Sequence, residues 1–267
     1  MADAAAVYLR LVSAAIRSQL EYRVSFLLDA IGMFFVAFLD FAAILIIFHN
    51  VPQLGTFSVA EVAFLYALSA MSFALAEFVV GHLDLLHEYV REGTFDVMLL
   101  RPRGTLFQVV ASDFRMRRLG LLAQGMLIFG YAVSRLDVPW DAGRIAMVLA
   151  TVLTGAVIFS AVWVFVISVV FWTVEGTETA NAFTYGGQFL TQYPIELYSQ
   201  WLRRLLAYLI PMAFVAYFPA LYVLDKPDPL GLPSFLRFSA PVVALVAAVA
   251  AGAMWRFAVR HYRSAGG

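Results

Sequence analysis

Three carboxylates stand where this chain has least reason to carry charge. Asp29 and Asp40 lie in the apolar run 24–48, and Glu77 lies in the run 59–81. Asp29 and Asp40 are eleven positions apart. On a helix that spacing brings them within about 20° of one face and separates them by about 16 Å along the axis. An ionised side chain at the centre of a lipid layer costs about 2.5–3.5 kcal/mol on insertion scales, so such residues face protein or water. No Lys or Arg lies in the central part of any apolar run. Asp29, near the start of its run, has water, Arg23 or Arg204 as candidate partners. For Asp40 and Glu77 three chemistries fit. One is a partly hydrated path that favours cationic amphiphiles. A second is hydrogen bonding between helices, with one acid protonated by burial. A third is a proton relay.

Other reactive constellations are missing. There is no G-x-x-x-x-G-K-[ST] loop, and the single lysine, Lys226, is followed by Pro227 outside any glycine-rich turn. ATP hydrolysis by a P-loop is therefore excluded for this chain. No H-E-x-x-H motif occurs, and His49, His82, His87 and His261 are scattered. His82 and His87 would stand about 140° apart on a helix, which argues against a metal pair. No G-x-S-x-G elbow supports a serine nucleophile. With no cysteine, thiol chemistry and disulfides are excluded. A formal net charge of zero offers no global field for nucleic acid.

The elements that must position the acids follow from composition. Hydrophobic residues make up 63% of the 267 and charged residues only 13%, against about a quarter charged in soluble domains. Mean hydropathy is +0.83. The expectation is an all-α polytopic membrane protein with one transmembrane domain over 1–267. Six spans are expected at about 24–48, 59–81, 119–136, 145–172, 205–224 and 238–258, each helical because lipid leaves backbone groups no other partner. With that topology fourteen basic residues fall on one side, and Arg135, Arg144, Lys226 and Arg237 on the other. The positive-inside rule then puts both termini in the cytoplasm of a multi-pass cell-membrane protein. Residues 1–23 read as an interfacial amphipathic helix, with Val7, Leu11, Ala15 and Ile16 on one arc and Arg10, Ser13, Arg17 and Glu21 on the other. They do not read as a signal peptide, because arginines interrupt the stretch.

Residues 91–104, REGTFDVMLLRPRG, carry too much charge for their surroundings. Gly93 suits the position after a helix end, Thr94 is a candidate N-cap, and Pro102 ends the short helix that follows. Phe95, Val97, Met98, Leu99 and Leu100 are too apolar for a simple solvated loop and call for a lipid or protein partner. The segment 173–204 is expected on the same side, with Tyr193, Tyr198 and Trp201 at headgroup level beside Arg203 and Arg204. Pro211 and Pro219 are expected to bend the fifth span. The small residues of 240–253 suit close helix packing.

VREGTFDVMLLRPRGTLFQV, together with QYPIELYSQWLRRLLAYLIPMAFVAYFPALYVL at 192–224, resembles the permease subunits of type-2 ATP-binding-cassette (ABC-2) exporters. The resemblance covers nearly the whole chain. It implies a pathway-forming subunit that pairs with a second copy or a sister permease. It also implies two separate ABC ATPase subunits that hold ATP and Mg2+, no cofactor in this chain, and a coupling helix centred on Glu92, Gly93, Thr94, Phe95 and Asp96. One departure stands out. Many such exporters carry a large helical hairpin outside, between spans five and six, whereas the segment expected there, DKPDPLGLPSFLR, is short. No large outer gate is expected. The reading is thus an ATP-driven exporter permease for an amphiphilic or hydrophobic substrate, cationic if the acids select it. A proton-coupled secondary transporter using Asp40 and Glu77, and a membrane scaffold without flux, are the alternatives.

Overall fold

The structure is a computed structural model that describes residues 23–112, 119–173, 177–228, 231 and 233–263. The expected interfacial helix of residues 1–23 falls almost wholly outside them. Among the described residues the regular elements are helical, with one isolated bridge between Leu54 and Phe57. In chain order the α-helices are α1 (Arg23–Asn50), α2 (Val59–Val80), α3 (Leu86–Arg91), α4 (Thr94–Leu99), α5 (Thr105–Ala111), α6 (Leu119–Arg135), α7 (Ala142–Ile167), α8 (Thr177–Thr191), α9 (Gln200–Arg204), α10 (Tyr217–Val223) and α11 (Ala240–Arg260).

Among the described residues, four helical stretches are long and apolar enough to cross a membrane: Leu27–Asn50, Val59–Arg91, Ala142–Phe171 and Ala240–Arg260. A fifth is added if the bent pair Gln200–Ala207 and Pro211–Val223 counts as one span. α6 is apolar but has only 17 residues. The protein is a multi-pass, all-helical membrane protein.

α2 is the axle. Its sequence is apolar on all sides, the pattern of a helix surrounded by protein, and it is buried over most of its length. Ser58 and Glu61 start it with a reciprocal cap, the Ser58 N–H donating to Glu61 Oε2 at 2.7 Å. Small residues let its neighbours approach. A Cβ on Gly125 of α6 would stand 2.9 Å from the Met71 side chain, and one on Gly155 of α7 would press on Ser72. α1 lies at the edge, held through Ile44 and through Phe41, whose ring meets Tyr66 and Tyr131.

Contacts along α8 revise the expected topology. Tyr185 reaches Asp84, just past one end of α2; Thr191 reaches Ser69 at mid-helix; and Glu196 reaches Thr56, beyond the other end. α8 therefore runs antiparallel to α2 along the bundle, and residues 192–204 do not share an end with residues 91–104. Arg203, whose guanidinium donates to the carbonyls of Tyr198 and Glu196, lies at the Thr56 end. Arg204 follows it there and so cannot serve Asp29. Reassigning these two arginines leaves twelve basic residues against six, and the charge bias keeps its sign.

The expected fifth span, 205–224, is correspondingly not a continuous helix. It breaks with a bend of 66°. A π-turn over Leu205–Leu209 is closed by the Ile210 N–H on the Leu205 carbonyl at 2.8 Å, and Pro211 follows without an N–H to extend it. Pro219 breaks nothing: it is the third residue of α10, where its N–H would have no helical acceptor anyway. The segment leaves the Thr56 end near Glu196 and reaches mid-bundle depth at Val215, beside Gly155. It returns to the same end, where the Lys226 ammonium donates to the Thr56 carbonyl at 2.6 Å and pairs with Glu61 at 3.2 Å. The expected absence of a large hairpin at that end is overturned: residues 195–226 form one.

A labelling experiment distinguishes the two topologies. Single cysteines at Thr56, Ser199 and Ser234 should react with an impermeant thiol reagent from one face of the membrane, and one at Thr94 from the opposite face only. Labelling at Ser199 together with Thr94 would restore the topology expected from sequence.

Candidate functional site

α1, α2, α6 and α8 enclose an open groove of about 770 Å³. Its wall includes Asp29 and Asp40 from α1, Tyr66, Phe73 and Glu77 from α2, Gln124 from α6, and Tyr185, Gln188 and Phe189 from α8. His82 and Asp84, from the 3-10 turn Gly81–Leu85 that continues α2, complete it. The helical spacing that puts Asp29 and Asp40 on one face of α1 thus turns both toward one space. Glu77, from a different helix, lines the same space. Among the described residues that line it, the one basic side chain is His82. Among the described residues, no three His, Asp or Glu side chains are gathered as a metal ion would require. Asp29 and Asp40 are exposed, whereas Glu77 is buried.

Asp84 was not singled out from the sequence, yet it is the best-defined carboxylate in the wall. Its Oδ1 accepts from Trp163 Nε1 of α7 at 3.0 Å, and its Oδ2 accepts from the Tyr185 hydroxyl of α8 at 3.0 Å. One side chain thereby ties the end of α2 to two other helices. The donors are held by packing. Trp163 is fully buried and stacks on Phe73 with ring centroids 5.7 Å apart, and Tyr185 meets both rings edge-on. A buried indole N–H needs an acceptor. That need was the available signal: Trp163 sits in an otherwise apolar run and must find a polar partner from elsewhere in the chain. The buried Gln124, which donates to the Tyr66 hydroxyl at 3.2 Å, is a second polar joint in the wall.

The polar elbow begins directly below Asp84. α3 runs to Arg91, and Gly93 takes φ +71°, a left-handed conformation that lets α4 start at once. Gly93 itself is the N-cap residue of α4, so Thr94 is not the cap; its hydroxyl donates back to the Tyr89 carbonyl at 3.3 Å. The five residues of the expected coupling centre divide. Phe95 is fully buried, with its ring 4.9 Å from Phe171 and 5.2 Å from Tyr262. It anchors the elbow to the ends of α7 and α11 and faces no partner. Glu92 and Thr94 are exposed, while Gly93 and Asp96 are half-buried. Beyond them Val97, Leu99 and Leu100 are exposed, Leu100 at 86% of its surface, and Arg101 and Arg103 flank them. The return limb of the elbow is fixed by Gln108, whose amide donates to the Met98 and Arg103 carbonyls at 2.9 and 2.8 Å. Trp255 of α11 donates to Thr105 at 3.1 Å and ties α5 to the bundle. The two histidines nearby do local work: His82 Nε2 lies 2.6 Å from the Tyr89 hydroxyl, and His87 Nδ1 lies 2.9 Å from the Asp84 carbonyl. Glu178 is exposed at the start of α8.

Asp84→Ala should lower the thermal midpoint of the detergent-purified protein, because it removes two interhelical hydrogen bonds worth about 1 kcal/mol each. Trp163→Phe should lower it as well, because it removes one of the two bonds and leaves a cavity at a fully buried site. Equal midpoints for the parent and Asp84→Ala would show that the node carries no stability.

A family model described as "ABC-2 family transporter protein" matches residues 34–266. No curated protein and no solved structure matches the chain.

Proposed function

Because the chain belongs to the ABC-2 family of transporter proteins, and is thus a membrane transport component, we propose that it is the permease of an ATP-driven exporter in the cell membrane, with both termini cytoplasmic. Two separate ABC ATPase subunits would bind ATP and Mg2+ and dock on the elbow, and a second permease copy or a sister permease would complete the pathway. α1, α2, α6, α7, α8 and α11 are the six crossings in this reading, with residues 195–226 re-entrant from the outer side.

The observation that carries the proposal is the pairing of two features on one stretch of backbone. A groove with both carboxylates and aromatic rings in its wall continues, through the Gly81–Leu85 turn, into a rigid elbow that exposes an apolar ridge. Apolar side chains ringed by arginines at the end of a helical bundle call for a protein partner. The ridge Val97, Leu99 and Leu100, with Glu92, Thr94 and Asp96 beside it, is the contact surface; Phe95 transmits the load inward. The groove is the route for an amphiphilic substrate. Asp29, Asp40 and Glu77 in its wall supply carboxylates from two helices that suit a cationic head group. A proton-coupled transporter would use the same two acids but would have no need of the exposed ridge, and a scaffold would have no need of the groove.

Substrate-stimulated ATPase activity of the reconstituted complex tests the elbow. Gly93→Pro, which cannot hold φ +71°, and Leu100→Glu should each abolish stimulation while the protein remains inserted. Asp40→Asn and Glu77→Gln should weaken export of a cationic substrate about tenfold or more, a change of about 1.4 kcal/mol, and leave a neutral one nearly untouched. Retained stimulation in both elbow variants, or equal losses for both substrates, would remove the corresponding half of the reading.

A further inference from the structure

The contact between α2 and α8 has an uneven distribution that suggests movement. Among the described residues, α8 is bonded to the α2 strip by side-chain hydrogen bonds at two heights. Toward the middle of α2, in the packed core rather than in the groove wall, Ser69 and Thr191 share a hydroxyl pair at 2.6 Å, both buried. Low in the groove, the Tyr185 hydroxyl donates to Asp84 at 3.0 Å, and both residues line the open space. Between these two pins lie Gly186 and Gly187. Adjacent glycines inside a helix weaken it by about 1 kcal/mol each and are a recurrent place for kinks above about 20°. The two are not equivalent. A Cβ on Gly187 would stand 2.7 Å from Met212 Cε, so this glycine lets the outer hairpin pack against α8. A Cβ on Gly186 would meet nothing within 4 Å, and packing gives no reason for a glycine there. Below Gly186 the helix is held on one face only, by the buried Ala180 and by the Tyr185 ring against Phe73 and Trp163. Ala182 and Phe183 are exposed, whereas Thr184 is buried.

We propose that the lower half of α8, residues 177–185, swings about Gly186–Gly187 as the inner lid of the groove, and that the Tyr185–Asp84 hydrogen bond is its latch. The upper pin at Thr191 and the Met212 contact hold the rest of α8 in place. Nine helical residues span about 13 Å, so a swing of about 20° at the glycine pair displaces the lower end by about 4 Å. That opening widens the groove where Glu77, His82 and Asp84 line it. Asp84 is suited to the latch because it belongs to the turn that leads into α3 and the elbow: a displacement of the elbow reaches Asp84 along seven residues of continuous helix, and Asp84 then moves relative to Tyr185. Trp163, packed in the aromatic stack, holds the other oxygen of the carboxylate and keeps it aimed. As a lid over a transport route, this inference rests on the reading of the groove given above.

The chain has no cysteine, so a pair of spin labels can be placed at Val79→Cys and Ala182→Cys, both exposed. Electron–electron distance distributions are then recorded on the full chain in lipid nanodiscs. Tyr185→Phe removes the latch and should raise the longer-distance population about tenfold, the loss expected for one hydrogen bond to a carboxylate. Gly186→Ala stiffens the hinge and should narrow the distribution to a single shorter distance. Added to Tyr185→Phe, it should return the distribution toward that of the parent, which a variant that had merely lost its fold would not do. Distributions for Tyr185→Phe and Gly186→Ala that both superimpose on the parent would overturn the proposal. The readout needs neither substrate nor ATPase, so it decides the latch whatever becomes of the export reading.

Discussion

The two-sided hydrogen bonding of the Asp84 carboxylate is the constraint from which the rest of the inner half of the molecule follows. Trp163 brings α7 to it, Tyr185 brings α8, and the backbone of the Gly81–Leu85 turn brings α2. Without that junction, the inner ends of α2, α7 and α8 would rely mainly on ring packing to set their relative heights, since lipid competes well for apolar surface. A directional hydrogen bond fixes register where packing alone leaves it loose. The elbow then inherits a defined position. It starts from the fixed turn, reverses at Gly93 and is tied back by Phe95 into the cluster of Phe171, Trp255 and Tyr262.

The other end of the bundle is organised by a second polar junction of a different kind. The four-residue turn at 54–57 is clasped from both ends of the re-entrant hairpin. The Glu196 carboxylate accepts from the Thr56 N–H and hydroxyl, and Lys226 reaches the Thr56 carbonyl and Glu61 while lying 4.6 Å above the Phe57 ring. Gly55 is required there: its φ is +62°, and a Cβ would run into the Glu196 carboxylate. The only lysine of the chain thus has an identifiable task, with its charge neutralised and its donors used. The groove lies between a hydrogen-bonded floor and an ion-paired ceiling.

Much of this was legible in the sequence, and the failures have physical causes. Long apolar runs located α1, α2, α7 and α11, and helical spacing placed Asp29 and Asp40 on one face before any neighbour was known. The glycine of the REG triplet predicted a break, and the break is there. Hydropathy also rewards a segment that is not one straight helix, since 205–224 breaks with a bend of 66°. α8 carries Thr, Glu, Asn, Tyr and Gln along one traverse of the bundle, so it reads as a loop. The stretch 205–224 is apolar enough to read as a span, although Pro211 and the π-turn fold it back. Phe95 was grouped with a docking surface because a single sequence does not show which side of a six-residue helix turns inward. Asp84 went unnoticed because its significance lies in two donors, 79 and 101 residues further along the chain.

The central claim is that this membrane subunit works with a separate ATPase seated on the exposed ridge of the elbow. The most direct measurement is purification of the full chain from its native membrane in mild detergent, followed by mass spectrometry of the proteins retained, for the parent and for a Leu99→Glu, Leu100→Glu variant. The account predicts that a protein with a P-loop nucleotide-binding domain accompanies the parent and is lost from the variant, while the variant remains inserted at the parent's level. A parent that purifies with no nucleotide-binding protein, or a variant that retains its ATPase in full, would contradict it.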